Sequence, residues 1–191
     1  MKLGLVRHFK VDLNIYNGKL TPAQLSDIMQ QYDVSPVLPK AHTVNSSDWQ
    51  ICYCSTLPRA IATAEKVFDG EIIKTGLLVE VPINPFTKRN ISINAYNWHI
   101  AARTAWFFNH KSQPEGKNET IQRVKAFYKM ILDSGYENIL IVSHGFFIKV
   151  FVHYLMKMGF EGKIDTRPHN GKLYVFENNS IKTAGLLRNS P

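Results

Sequence analysis

The chain has 191 residues, 45% hydrophobic and 20% charged, which excludes a disordered polypeptide and fits one domain with a sizeable core. No apolar stretch approaches the roughly 20 residues of a spanning helix, and the N-terminus is too short and too soon charged for a signal peptide, so the expectation is a soluble cytoplasmic protein. The net charge of +8 favours an anionic ligand, but its Lys and Arg residues are dispersed rather than blocked, so neither nucleic acid nor a membrane is expected as partner.

In chain order, residues 3–7 read as a buried strand that stops at Arg7-His8. A polar loop over 8–20 ends in the turn signal Asn17-Gly18. Thr21-Pro22 has the form of an N-cap followed by proline at the first helical position, so a helix is predicted from 22 to about 32. A strand over 50–54 leads through Ser55-Thr56-Leu57 into a helix over 58–68, and 71–74 form a short strand. Cys52 and Cys54 lie two apart on one strand face, a spacing of neither a redox pair nor a zinc site, and read as small core residues. Pro82 and Pro85 mark an irregular loop, and 93–109 carry apolar residues at helical spacing, among them Trp98, Trp106, Phe107 and Phe108, which read as core. A helix capped by Asn118 or its neighbour is predicted over 118–133, a buried strand over 138–142 and a helix over 146–158. Residues 172–177 and 181–187 are expected to pair as an antiparallel edge across Asn178-Asn179. Strands alternating with helices imply an α/β domain with a largely parallel sheet.

Polar groups at the carboxyl ends of strands are where open α/β sheets bind ligands. Here those groups are Arg7, His8, Arg59 and His144. Arginine binds phosphate oxygens through its planar fork. A neutral imidazole can attack phosphorus and divide a hard step into two. A second, protonated imidazole would steady the equatorial oxygens, and a carboxylic acid is needed for the leaving oxygen. His42, His99, His110, His153 and His169 read as structural, and no spacing among them supports a metal.

Three segments carry a family resemblance: Leu5-Val6-Arg7-His8, Ser55-Thr56-Leu57-Pro58-Arg59-Ala60 with Thr63-Ala64, and Val142-Ser143-His144-Gly145. Together and in this order they resemble the histidine phosphatase superfamily, also called phosphoglycerate-mutase-like, on its phosphatase side, over residues 1 to about 160. The resemblance implies a three-layer α/β/α sandwich with a mostly parallel sheet, spanning 1–191 as one domain with a cap over about 82–116. It implies a metal-independent phosphomonoester hydrolase without cofactor, acting on a small phosphorylated substrate. His8 would become phosphorylated, Arg7 and Arg59 would clamp the phosphate, and His144 would be the second pocket histidine. Glu80, in Leu77-Leu78-Val79-Glu80, resembles the general acid, and Asn14 stands where many members place a phosphate-contacting asparagine. Asn118-Glu119-Thr120, with Arg123 downstream, resembles the helix start before the last parallel strand.

The chain departs from the family pattern at Phe9, where glycine is usual, at Lys10, and at Phe146, Phe147 and Lys149 after Gly145. Asn14, Gly145, Lys10 and Phe9 are counted as phosphate- or substrate-binding positions, and Phe9 and Phe146 are expected to narrow the entrance. A phosphoglycerate-type mutase and a catalytically weak phosphate-binding or scaffold protein are the alternatives. Substrate and oligomeric state are not legible.

Overall fold

Three apolar runs buried on both faces form the heart of one sheet's parallel part, and a half-buried fourth strand, Ile72–Thr75, flanks them at the edge. The computed structural model describes residues 1–13 and 18–180. Its elements in chain order are β1 (Lys2–Arg7), β2 (Lys10–Val11), β3 (Lys19–Leu20), α1 (Pro22–Val34), β4 (Val37–Leu38), β5 (Ile51–Ser55), α2 (Pro58–Val67), β6 (Ile72–Thr75), β7 (Ile93–Asn94), α3 (Ala95–Phe107), α4 (Lys117–Asp133), β8 (Asn138–Ser143), α5 (Gly145–Lys157), β9 (Glu161–Gly162) and β10 (Leu173–Glu177). The main sheet has six strands in the order β6-β5-β8-β1-β10-β9. The first four run parallel, and β10 is antiparallel to both β1 and β9.

The period of two along each strand divides the core. Leu3, Leu5, Ile51, Tyr53, Ile139 and Ile141 face Val124, Phe127 and Ile131 of α4 and Phe147, Phe151 and Leu155 of α5. Val6, Cys52, Cys54, Leu140 and Val142 face Ala60, Ala64 and Val67 of α2 on the other side. Helices thus cover both faces, which makes the fold a three-layer α/β/α sandwich. Gly4 is where the Trp49 ring crosses the sheet: a Cβ there would lie 2.5 Å from it.

The register sets the functional edge. Arg7 lies opposite Ser143, and Cys54 lies opposite Val142. His8, Ser55 and His144 therefore leave three neighbouring strands at one end. The Thr21 hydroxyl caps α1 as the Thr-Pro pair predicts, accepting from Gln24 N–H at 3.3 Å.

The structure corrects several expectations. The strand at 173–177 pairs with β1 and β9 and is interior to the sheet; the partner expected over 181–187 lies outside the described residues. The N-cap of α4 is Gly116, whose N–H donates to Glu119 Oε2 at 2.7 Å. Asn118 instead donates its N–H to Asn109 Oδ1. Trp98 and Trp106 are buried, but Phe107 and Phe108 stand in solvent because α3 turns only the stripe Trp98, Ala102 and Trp106 inward. Trp98 Nε1 donates to Leu20 O at 2.8 Å, which fixes α3 against β3.

Candidate active site

His8 continues the ladder one residue beyond β1, its N–H donating to Ser143 O at 2.9 Å. Its side chain turns back, and Nδ1 lies 2.6 Å from Phe9 O. A carbonyl only accepts, so Nδ1 carries the proton and Nε2 keeps a free lone pair. The backbone around His8 is pinned on both sides. Asn170 Nδ2 donates to His8 O at 2.6 Å, and Phe9 N–H donates to Thr63 Oγ1 at 2.8 Å. Thr63 in turn donates to Arg59 O at 2.7 Å, tying the His8 turn to the first turns of α2.

His144 occupies the N-cap position of α5, its ring centroid 5.1 Å from that of His8. Its Nε2 is 2.8 Å from Ser55 Oγ, while Nδ1 is buried without a partner. Arg7 donates from one terminal nitrogen to Pro168 O at 3.0 Å. A Cβ on Gly145 would stand 3.1 Å from Arg7 Nε, so the guanidinium packs closely on the start of α5 and a larger residue there would displace it by a few tenths of an ångström. Arg59 is 3% exposed and pairs with Asp33 at 2.8 Å. Its guanidinium carbon lies 4.9 Å from the Tyr32 ring centroid, and the same ring meets His8 edge-on.

Buried polar atoms normally find partners. Arg7 Nε, Arg59 Nε and His144 Nδ1 do not, and all belong to side chains within electrostatic reach of His8 or its neighbour. Such a concentration of unmet polar atoms and positive charge suits an oxyanion. Burial pulls the His8 pKa down to about 3, opposed by the Phe9 carbonyl and reinforced by Arg59 and Arg7. Burial also holds His144 well below the ordinary histidine range, with His8, Arg59, Arg7 and Arg123 adding to the effect. Burial thus favours the neutral form of both rings near pH 7, in contrast to the protonated second imidazole expected from the sequence.

This has a consequence for stability. The unfolded chain takes up the His8 proton near pH 6.5, whereas the folded chain resists it down to about pH 3. Stability is therefore lost as pH falls below 6.5, by about 2 kcal/mol at pH 5 from His8 alone, with His144 adding in the same direction. Urea unfolding at pH 7.5, 6 and 5 should show this slope, and His8→Asn should flatten it; equal slopes in the two proteins would contradict it.

The other positions fall in distinct places. Gly145 adjoins Arg7 as described. Glu80 Oε1 accepts from Val81 N–H at 2.9 Å and Phe147 N–H at 2.9 Å, and Oε2 accepts from Phe146 N–H at 3.1 Å. Its carboxylate thus sits on the first turn of α5, where negative charge suits the exposed N–H groups. Arg123 secures the segment carrying Glu80 by donating to Leu77 O and Val79 O at 2.9 and 2.7 Å, while pairing with Glu115. The Phe9 ring is 1% exposed and turns into the core against Gly171 instead of narrowing the entrance; it bears on the site through its carbonyl. Lys10 is exposed in β2, paired with Leu38. Asn14 lies outside the described residues. Phe146 is half-buried, its ring 3.8 Å from the Arg103 guanidinium and edge-on to Trp106.

Sequence reasoning missed Asp33, Tyr32 and Asn170. Asp33 and Tyr32 sit in the last turn of a helix, where polar residues read as solvated, and Asn170 lies in a loop with no motif. Ser55 and Thr63 were visible in the motif but not as supports for the two histidines. His42, His99, His110, His153 and His169 are all exposed. Among the described residues no group of three or more His, Cys, Asp or Glu side chains could hold a metal. Burial pushes the Cys52 and Cys54 thiols up, Cys54 to about 11, so neither serves as a thiolate nucleophile. No described helix is long and apolar enough to cross a membrane.

Solved structures share this architecture. A putative alpha-ribazole-5'-P phosphatase from Escherichia coli str. K-12 substr. MG1655 superposes with TM-score 0.58 at 21% identity, covering 95% of this chain and 92% of that one. The alpha-ribazole phosphatase of Shigella flexneri gives TM-score 0.60 at 19% identity over 95% and 92%. A phosphoserine phosphatase from Entamoeba histolytica, in complex with 3-phosphoglyceric acid, gives TM-score 0.50 at 21% identity over 92% and 90%. At these identities the likeness is one of fold. No curated protein matches the chain in sequence. The sequence model of the histidine phosphatase superfamily (branch 1) matches residues 40–189, a stretch that includes Arg59 and His144. Residues 1–39 fall outside that stretch, yet β1 carries Arg7 and His8 to the same sheet edge, and the chain belongs to the histidine phosphatase superfamily, branch 1.

Proposed function

We propose that the chain is a phosphomonoester hydrolase that needs no metal and works through a phosphohistidine on His8. One observation carries this reading: the Phe9 carbonyl holds the His8 proton on Nδ1, leaving a neutral Nε2 beside buried arginine and histidine nitrogens that lack partners. Nε2 attacks phosphorus in line, and the bond from phosphorus to the ester oxygen breaks. Arg7, Arg59 and His144 hold the equatorial oxygens where charge gathers. Glu80 gives its proton to the leaving oxygen. Water then attacks the phosphohistidine, Glu80 takes its proton, the phosphorus–nitrogen bond breaks and inorganic phosphate departs. The acid role is assigned to Glu80, bound to the backbone of Phe146 and Phe147 just past Gly145, because Asp33 is held in an ion pair with Arg59. The structural neighbours named as phosphatases make hydrolysis the reaction to test first.

The test is phosphate release from 4-nitrophenyl phosphate in excess EDTA. Undiminished turnover is expected, because the arginines supply the positive charge that a metal would otherwise bring. Loss of activity in EDTA with recovery in zinc or magnesium would defeat metal independence. A requirement for added bisphosphoglycerate would identify a mutase. A weak phosphate-binding protein is the second reading, favoured by the occupation of Arg59 by Asp33 and of both Glu80 oxygens by N–H groups. Binding of inorganic phosphate without turnover of any ester would establish it.

A further inference from the structure

An open cleft of about 790 Å³ lies between α3 and α5, large enough for a substantial organic group. One wall is a bare stripe of α3. Tyr96, Ile100 and Phe107 recur at helical spacing and are 61%, 49% and 50% exposed, while the opposite stripe of the helix is buried. Large apolar side chains left together on a surface mark a binding site. The facing wall is Phe146, a flat ring held between the Arg103 guanidinium and the edge of Trp106. Lys149 and Arg167 stand at this cleft too. Both are exposed, and neither has a salt-bridge partner among the described residues. Arg103 is already spent on the Val81 and Pro82 carbonyls. Among the described residues, none that lines the cleft is acidic.

Two short stretches of chain join the cleft walls to the phosphate site. Phe146 follows Gly145, which touches Arg7, and Arg167 precedes Pro168, whose carbonyl accepts from Arg7.

We propose that this cleft is the leaving-group subsite, and that it takes a small-molecule phosphomonoester whose flat apolar body carries a second negative charge. The apolar body lies between Phe146 and the Tyr96–Ile100–Phe107 stripe. The second anion is met by Lys149 and Arg167, which are free cations, unlike Arg103. The occupant's charge follows from that complementarity, and its apolar body from the walls. The proposal rests on the phosphatase reading for the word substrate, but the cleft's preference can be measured without catalysis.

The probe is 6-hydroxy-2-naphthoate, a flat leaving group bearing a carboxylate, with 2-naphthol as its uncharged counterpart. Binding is followed by fluorescence in saturating inorganic phosphate, so that the Arg7–Arg59 site is already filled. The naphthoate should bind at least about tenfold more tightly than the naphthol, and the doubly substituted Lys149→Met, Arg167→Met protein should lose that margin. Phe107→Ser should weaken both ligands. Equal binding of the two ligands, or an undiminished margin in the doubly substituted protein, would overturn the proposal. The same ratio is then read as kcat/KM for 6-carboxy-2-naphthyl phosphate over 2-naphthyl phosphate, and it should fall about tenfold in the doubly substituted protein. If the naphthoate margin appears as expected but neither ester is hydrolysed, the phosphatase reading fails and the anion-selective cleft stands.

Discussion

His8→Asn is expected to lower kcat by at least about 10⁴-fold, because it removes the only atom assigned to attack phosphorus. Asparagine suits the test because its amide nitrogen can still donate to the Phe9 carbonyl, the bond that Nδ1 makes at 2.6 Å. The Asn170 and Thr63 bonds around position 8 involve backbone atoms and survive the change. The variant should therefore fold, and phosphate should still raise its melting temperature through Arg7 and Arg59. Acid-labile, base-stable labelling by a phosphate ester should vanish with turnover. A variant that still acquires that label would move the nucleophile to another residue. His144 would come first, since its Nδ1 is buried beside the same arginines and lacks a partner. Loss of activity together with loss of the phosphate-induced stabilisation would mean that the pocket itself had collapsed, and Thr63→Ala would then serve as a comparison for damage to the turn alone.

Much of this pocket was legible because the fold writes it in a simple code. A parallel strand buried on both faces is a continuous apolar run, so an abrupt Arg-His or Ser-His at its end is conspicuous. Leu3 to Val6 and Ile139 to Val142 are such runs, and their register puts Arg7 opposite Ser143. The same code fails where side-chain direction is set by neighbours in space. Phe9 follows a pocket histidine in sequence, yet its ring turns under Gly171 because the chain bends at His8 to hand its carbonyl to the imidazole. Phe107 and Phe108 match the apolar composition of a core helix, but the inward stripe of α3 was already filled by Trp98, Ala102 and Trp106. Asp33 is a helix-end carboxylate by sequence and an arginine partner only once α1 is laid across α2. The strand at 173–177 gave no sign that β1 was its mate, because an antiparallel partner more than 160 residues away leaves no local signal. Glu80 shows both limits at once. Its place after the third parallel strand marked it, while its three N–H donors depend on how α5 docks.

Glu80→Gln separates those two sides of the residue. As a structural group, the carboxylate accepts N–H bonds from Phe146 and Phe147 at the first turn of α5, the helix whose N-cap is His144. Glutamine keeps one acceptor oxygen but turns an amide NH₂ toward one of those donors, so roughly 1–3 kcal/mol of local stability is lost. Damage of that kind misplaces His144 and slows every ester alike. As a general acid, Glu80 matters only in proportion to how badly the leaving oxygen needs a proton. Glycerol phosphate expels an alkoxide of high basicity, and its turnover should fall by about 10²–10³-fold. 4-Nitrophenyl phosphate leaves as a stabilised phenolate and should fall by less than about tenfold, the share due to the disturbed helix start. The ratio between the two substrates is the measurement, because it cancels whatever the substitution does to folding or to phosphate binding. An equal drop on both would reduce Glu80 to a support for α5. Asp33→Asn supplies the counterpart: it frees Arg59 from its 2.8 Å ion pair and removes the other carboxylate at the pocket. If the alkyl-selective loss appears there and not at Glu80, the proton comes from Asp33. With Glu80 as the acid, the Asp33 variant instead binds phosphate more tightly and keeps the wild-type ratio between alkyl and aryl esters.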